Sequence, residues 1–414
     1  MKASSSTKTA PVSNQTVPTP PLFYQILTST KLATHLDAWA LNHEQVSLKT
    51  AATWGIKKFT LRGGKQEGVD VIEVDNGKLR FVVIPTRGMS VLRVESGDVR
   101  LGWDSPVRNV VHPQFVNLES RDGLGWLEGF NEWLVRCGIE WMGHPGRDKF
   151  QNHLEERVEM DLTLHGRIGN IPASEVEVFI EAGATPRIHV RGLVEERMFH
   201  GPQLSLWADI STELGSDAIR FDDAITNHGA FDQEFQILYH ANFGPPLLEA
   251  GARFSGAIEQ VGSFNSHAAK TVKNYCDYAG PQAGFVEQVY CLHPLAGQNG
   301  LTEVMLQNAG GTRGVSMVFP VAQLPCVTLW KNLASEAEGY VTGIEPGTGF
   351  PYMRRHEREA GRVPKLGPDQ TRHFTIEVMI HHDSENVTAA NQRIRALQGK
   401  AATAIDTRRF VRQH

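Results

Sequence analysis

What most limits the folds open to this chain is a long succession of short segments that alternate apolar and polar side chains. Almost no helical pattern falls between them. Glu175-Val-Glu-Val-Phe-Ile-Glu and Arg372-His-Phe-Thr-Ile-Glu-Val-Met-Ile alternate at period two, as strands with one buried face do. Leu79-Arg-Phe-Val-Val-Ile is a β-rich run stopped by Pro85, and Met89 to Glu95 follows after a Thr-Arg-Gly turn. Similar segments lie near 157–164, 187–196, 204–213, 217–226, 286–292, 314–320, 325–331 and 340–345. Parallel strands need crossover connections, usually helices, and none is visible. The pattern predicts a mainly β protein, one large antiparallel sandwich with few peripheral helices. Helix is expected at the edges only: one or two short ones between Phe23 and Leu41, where Leu32, His35, Leu36 and Trp39 recur at helical spacing, and one over Asn386–Gln398 with Asp383 or Ser384 as N-cap.

At 414 residues the chain can bury a large core. Residues 1–21 hold Ser, Thr, Pro and Gln with few large apolar side chains, so they are expected to form a disordered tail. No linker-like stretch interrupts residues 25–385, and no internal repeat is present. The expected organisation is a single domain over 22–400 and a C-terminal tail over 401–414. A net charge of −5 gives no field favouring nucleic acid or anionic membrane. No apolar run reaches the ~20 residues of a membrane span. The N-terminus has no apolar core of a secretion signal, and the four cysteines lack metal-like spacing, which fits buried thiols in a reducing compartment. The expected location is cytoplasmic.

Three segments carry candidate chemistry. Glu345 ends a strand and is followed by Pro346-Gly-Thr-Gly, a rigid turn that suits a general base; the plainer alternative is a surface carboxylate. His165, in Leu-His-Gly-Arg167-Ile-Gly-Asn, sits among glycines that let a ligand approach the backbone, or else it caps its own turn. His240, in Tyr-His-Ala-Asn242-Phe-Gly, is a candidate acid, with His228 as its rival. Arg87, on the turn Pro-Thr-Arg-Gly-Met, and Lys331, at the end of Val-Thr-Leu-Trp330, offer donors for hydroxyls or carboxylates. Residues 126–148 combine Trp126, Asn131, Glu132, Trp133, Arg136, Glu140, Trp141 and His144, a candidate wall on which sugar rings could stack. There is no P-loop, no dinucleotide-binding glycine fingerprint and no GxSxG elbow. The scattered histidines lack the spacing of a helical metal site, so no metal and no cofactor are expected.

The phrases Pro85-Thr-Arg-Gly-Met, Leu101-Gly-Trp-Asp-Ser-Pro, His112-Pro-Gln-Phe-Val-Asn, Phe130-Asn-Glu-Trp-Leu, Leu164-His-Gly-Arg-Ile-Gly-Asn and Tyr239-His-Ala-Asn-Phe-Gly extend over roughly residues 55–382. Together they resemble the aldose 1-epimerase (galactose mutarotase-like) superfamily, in particular its DUF4432 branch. The resemblance implies a β-supersandwich with its pocket on one concave sheet face. It also implies that His165 binds the sugar, His240 is the general acid and Glu345 the base. Arg87, Arg167, Asn242, Lys331 and Asn131 join His165 as expected substrate contacts. The chain departs from galactose mutarotases in having Leu-His-Gly-Arg for a tandem His-Leu-His-Gly-Gly, Ala241 after the histidine, and Pro-Gly after the glutamate.

On this reading the chain is an isomerase of the aldose 1-epimerase type, shuttling protons to interconvert sugar anomers without metal or redox cofactor. The positive charge of Arg87, Arg167 and Lys331 points to an acidic or modified sugar. A sugar-binding or sensing protein without turnover is one alternative. A related isomerase, lyase or glycosidase is another, the last needing a second acid such as Glu132 or Glu140. The partner expected is a small-molecule carbohydrate, not nucleic acid or membrane, and the chain acts alone or as a homodimer.

Overall fold

The computed structural model describes residues 20–409, apart from 47, 49, 51, 152 and 153. Most of the tail expected at 1–21 therefore lies outside the described residues. Two large sheets, of ten and thirteen strands, dominate the rest. Nearly all their strand pairs are antiparallel, so the alternating segments are half-buried strands as the pattern predicts. The longest ladder joins Arg187–Arg197 to Gln203–Glu213, and the next strands are Ala218–Asn227 and Thr371–His381.

The principal core lies between the sheets. Phe221, Ile210 and Val190 from the ten-stranded sheet cluster with Ile237, Tyr239, Leu329 and Ile344 from the thirteen-stranded one. An ion pair bridges the two layers: Arg136 Nε reaches Asp223 at 2.5 Å, and the Tyr239 hydroxyl donates to the same carboxylate at 2.8 Å. Arg136, Asp223 and Tyr239 are all fully buried. Such a pair is costly to desolvate and more costly to break, so it fixes one relative placement of the sheets.

Three expectations are corrected. Residues 23–41 form strands, Phe23–Ser29, Thr34–His35 and Trp39–Asn42, because the first pairs with Glu175–Glu181 and extends the sheet. Part of the 126–148 stretch read as a loop wall is a strand, Leu134–Ile139, every residue of which is buried. The expected C-terminal tail instead supplies Ala404–Arg409, which pairs in parallel with Ile258–Ser263. The last helix spans Ser384–Gln398, and the Asp383 carboxylate caps it by accepting from the Asn386 amide at 2.8 Å. No helix among the described residues is long and apolar enough to cross a membrane.

The outer face of the thirteen-stranded sheet is roofed by chain segments. Val135, Cys137, Leu238 and Val341 point outward from adjacent strands. They pack against Trp103, Trp126, Phe130, Met142 and Leu164 from the segments above them. The candidate site lies in this second, smaller core.

Candidate active site

Four neighbouring strands form the floor: Leu134–Ile139, Gln236–Phe243, Val341–Gly347 and Cys326–Asn332. Side chains alternate between faces along each strand. Ile237, Tyr239 and Ala241 enter the main core, which sends Leu238, His240 and Asn242 outward. Pairings of Ala241 with Ile344 and Leu238 with Gly347 set His240 opposite Glu345. On the far side of Glu345 its partner is Thr328. One row across the sheet therefore reads Val135, His240, Glu345, Thr328.

His240 Nε2 lies 3.2 Å from Glu345 Oε1, with the two side chains 6% and 2% exposed. The carboxylate can lie there because of Gly343: a Cβ at that position would stand 2.3 Å from Oε1. No protein group completes a well-aligned hydrogen bond to Oε1, so the pair is close in distance yet leaves the oxygen available to a ligand hydroxyl. Burial, helped by the nearby Glu287 carboxylate, pushes the Glu345 carboxyl well above its ordinary range. Burial, with His165 adding to it, holds the His240 imidazole well below its own.

The His240 tautomer follows from its neighbours. Asn242 Nδ2 faces two carbonyls, Glu132 O at 3.0 Å and His240 O at 3.3 Å, so its Oδ1 must be the atom facing His240 Nδ1 at 2.7 Å. An acceptor there places the ring proton on Nδ1. Nε2 then carries the lone pair toward Glu345, whose carboxyl burial pushes toward its protonated form, so one proton can serve both groups.

His165 completes the group. It occupies a left-handed turn position at φ 60°, and Gly166 follows at φ 71°. Any Cβ on Gly166 would meet Trp141 O at 2.2 Å, so the turn requires glycine. The His165 amide donates to Gly143 O and its Nδ1 to Met142 O, both at 2.9 Å, which leaves Nε2 as an acceptor. Burial lowers its pKa to about 4. The rings of His165 and His240 lie 5.3 Å apart, Trp126 is 4.6 Å from His165, and Phe130 and Trp330 stand 5.1 and 5.5 Å from His240. Two imidazoles and a carboxyl group thus share an aromatic enclosure. His228 lies on the other sheet against Ser205 Oγ at 2.8 Å, away from this group.

The other sequence candidates are placed differently. Arg87 is fully buried and engaged with Glu132 at 2.6 Å, Asn170 Oδ1 at 2.8 Å and Val111 O at 3.1 Å. Asn131 ties down a loop by donating to Val107 O and Asn109 O. Arg167 is held by Glu140 at 2.7 Å and Glu196 at 2.9 Å, and it covers the Trp141 ring. Lys331 points from the opposite face of its strand into the main core, 4.3 Å from the centre of the Tyr278 ring, where burial lowers its pKa to about 8. None of these cations faces the His240–Glu345 pair unpaired. Asn242 is adjacent to the pair, as a support for His240.

Sequence reasoning did not single out Phe130, Trp330 or Glu287. Trp330 shares a strand face with Thr328, which pairs with Glu345, so strand parity could have found it. Its indole donates to Glu287 at 2.9 Å, a contact with no sequence signal. Two surface depressions of about 350 and 300 Å³, lined by residues around Trp54 and around Pro245, contain none of the site residues.

A model of the family described as "Domain of unknown function (DUF4432)" matches residues 66–380. The structure is similar to that of a candidate aldose 1-epimerase from Klebsiella pneumoniae subsp. pneumoniae, with a TM-score of 0.89 and 40% identity over 94% of this chain and 100% of that one. Two more distant structures share the fold. A galactose mutarotase-like protein from Clostridium acetobutylicum has a TM-score of 0.54 and 14% identity, over 79% of this chain and 98% of the other. A galactose 1-epimerase from Lactobacillus acidophilus has a TM-score of 0.50 and 10% identity, over 79% and 99%. No curated protein matches the sequence. With its family model spanning most of the chain and its sheets arranged as in the mutarotase-like structures, this protein belongs to the DUF4432 family.

Proposed function

We propose that this protein is an isomerase of the aldose 1-epimerase type, using Glu345 and His240 to open and reclose a sugar hemiacetal. The observation that carries the reading is the 3.2 Å approach of His240 Nε2 to Glu345 Oε1 on adjacent strands, inside an aromatic enclosure. Anomer exchange needs a base at the anomeric hydroxyl and an acid at the ring oxygen, a short distance apart. One shared proton meets that need. When sugar hydroxyls replace the dry surroundings, the ion-pair form becomes accessible. The Glu345 carboxylate then removes the O1 proton while His240 Nε2–H protonates the ring oxygen, and the ring opens. Rotation about C1–C2 and reversal of both transfers close the other anomer. Each positioned group contributes typically ~10²–10⁴-fold.

The pairing of Arg87 and Arg167 with carboxylates, and the core position of Lys331, remove the argument for an anionic sugar. The carboxyl groups of this site, Glu345 and the nearby Glu287, favour an uncharged aldose over an anionic one. A paired-carboxylate glycosidase is less well supported, since Glu132 and Glu140 are both held by arginines.

Exchange-spectroscopy NMR of neutral aldoses tests the proposal. Glu345→Gln is expected to lose at least ~10²-fold in exchange rate, with sugar binding by saturation transfer retained. Undiminished exchange in that variant refutes the assignment. Binding without exchange in the unaltered protein selects the sugar-binding alternative.

A further inference from the structure

His144 follows Gly143, whose carbonyl holds the His165 amide. Its own backbone amide and its Nδ1 both donate to Pro351 O, at 3.0 and 2.9 Å. Nδ1 therefore carries the ring proton, and Nε2 is left as an acceptor with no hydrogen-bond partner among the described residues. His165 is built the same way, with Nδ1 tied to Met142 O. The two imidazoles present the same chemistry by the same device.

They are also neighbours, because Gly143, the residue before His144, accepts from the His165 amide. His144 acts electrostatically on His165, and Glu287 acts on both His144 and Glu345. Trp330, hydrogen-bonded to Glu287, packs against both apolar groups of this face: the one holding Trp126 and Phe130, and the one holding Phe264 and Tyr352. The Phe264 ring lies 5.0 Å from His144 and stacks on Tyr352 at 4.2 Å and 5°. Rigid aromatic backing on one side and a backbone-locked tautomer on the other hold the imidazole in one orientation.

We propose that His144 is a third imidazole of the substrate site, its Nε2 accepting a hydrogen bond from a sugar hydroxyl remote from the anomeric carbon, and that it thereby selects among sugars. This rests on the sugar-site reading above and extends it. A neutral acceptor of fixed tautomer discriminates a hydroxyl donor from a position lacking one, because loss of either partner leaves the other unpaired.

The test is a cycle between residue and hydroxyl. D-Glucose, D-galactose and their 2-, 3-, 4- and 6-deoxy analogues are compared with the unaltered protein and with His144→Phe. Phenylalanine keeps the ring and removes the acceptor, and Pro351 O retains the backbone amide of residue 144 as donor. Expected for one deoxy position is a loss of roughly 3–15-fold in kcat/KM for the unaltered protein, with no further loss in His144→Phe. His144→Gln, which restores an acceptor, is expected to recover part of the discrimination. Equal losses in His144→Phe against every analogue, or no loss at all, overturn the proposal. The same cycle read in saturation-transfer affinities separates the two readings. Coupling in affinity without anomer exchange keeps the His144 contact and removes the proton shuttle. Exchange abolished by Glu345→Gln but no coupling at residue 144 does the reverse. Absence of binding to both parent sugars overturns both.

Discussion

Gly343→Ala tests the site geometry without touching a group that moves protons. Gly343 faces outward two residues before Glu345, paired with Asn242 on one side and Trp330 on the other. An added Cβ would stand 2.3 Å from Glu345 Oε1 and 3.2 Å from Trp330 Cε3, where ordinary contact begins at 3.4 Å. The oxygen must retreat by about 1.1 Å, the difference of those two oxygen distances, and its 3.2 Å approach to His240 is lost. Misplacement of a reacting group by about 1 Å costs on the order of 10²-fold, or about 2.7 kcal/mol of barrier. Stability moves much less. Replacing glycine in a conformation that alanine can adopt gains about 0.4–1 kcal/mol, and an off-rotamer glutamate costs about 0.5–1.5 kcal/mol. The two nearly cancel. The expected result is a ~100-fold fall in kcat/KM by exchange NMR, with urea-unfolding stability within roughly 1 kcal/mol of the parent. Unchanged kcat/KM would show that carboxylate placement does not matter. A stability loss above about 3 kcal/mol would show that packing, not catalysis, explains the glycine.

Three further outcomes are expected. Asn242→Asp puts a carboxylate against His240 Nδ1–H, stabilises the imidazolium and moves the acid limb of kcat/KM to higher pH; an unmoved limb refutes the tautomer assignment. His165 drops from an ordinary 6.5 to about 4 on folding, so the unfolded chain takes up a proton first. The contribution is fully present above pH 6.5, and over the 2.5 units down to about 4 it removes roughly 3 kcal/mol. Urea unfolding across that window is expected to show a shallower acid loss for His165→Gln. Asp223→Ala strands the fully buried Arg136 and is expected to cost about 3–5 kcal/mol by the same measurement; a cost below about 1 kcal/mol contradicts its role in joining the sheets.

The fold was legible wherever a strand has one buried and one open face. Ala218–Asn227 and Thr371–His381 alternate because solvent touches one side. Leu134–Ile139 does not, because the main core lies beneath it and Trp126 and Leu164 lie above, so six buried residues give no period. Phe23–Ser29 misled in another way. Its partner, Glu175–Glu181, is some 150 residues distant, and local helical spacing over 32–39 says nothing about pairing at that range. Such strands take their structure from the neighbours they join.

The site was legible to the same degree, for the same reason. His165 and Glu345 each sit beside glycine or proline, and His240 lies in a short motif that ends at Gly244; these are local signals, and the three converge. The charge of the surroundings was not local. Arg87 finds Glu132 45 positions away and Arg167 finds Glu196 29 away, so residues that look like free cations in the chain are neutralised in space. Lys331 differs, since parity alone places it. Thr328 pairs with Glu345 and shares its face, and Lys331, three residues further along the strand, must point to the opposite one. Carrying strand parity from the presumed base across to its neighbour would have removed Lys331 from the site and put Trp330 into it. It would also have withdrawn one of the three charges from which an anionic sugar was argued. The same parity puts Gly343 on the face of Glu345, two residues away, which is why a glycine in that strand bears on the proposed catalysis.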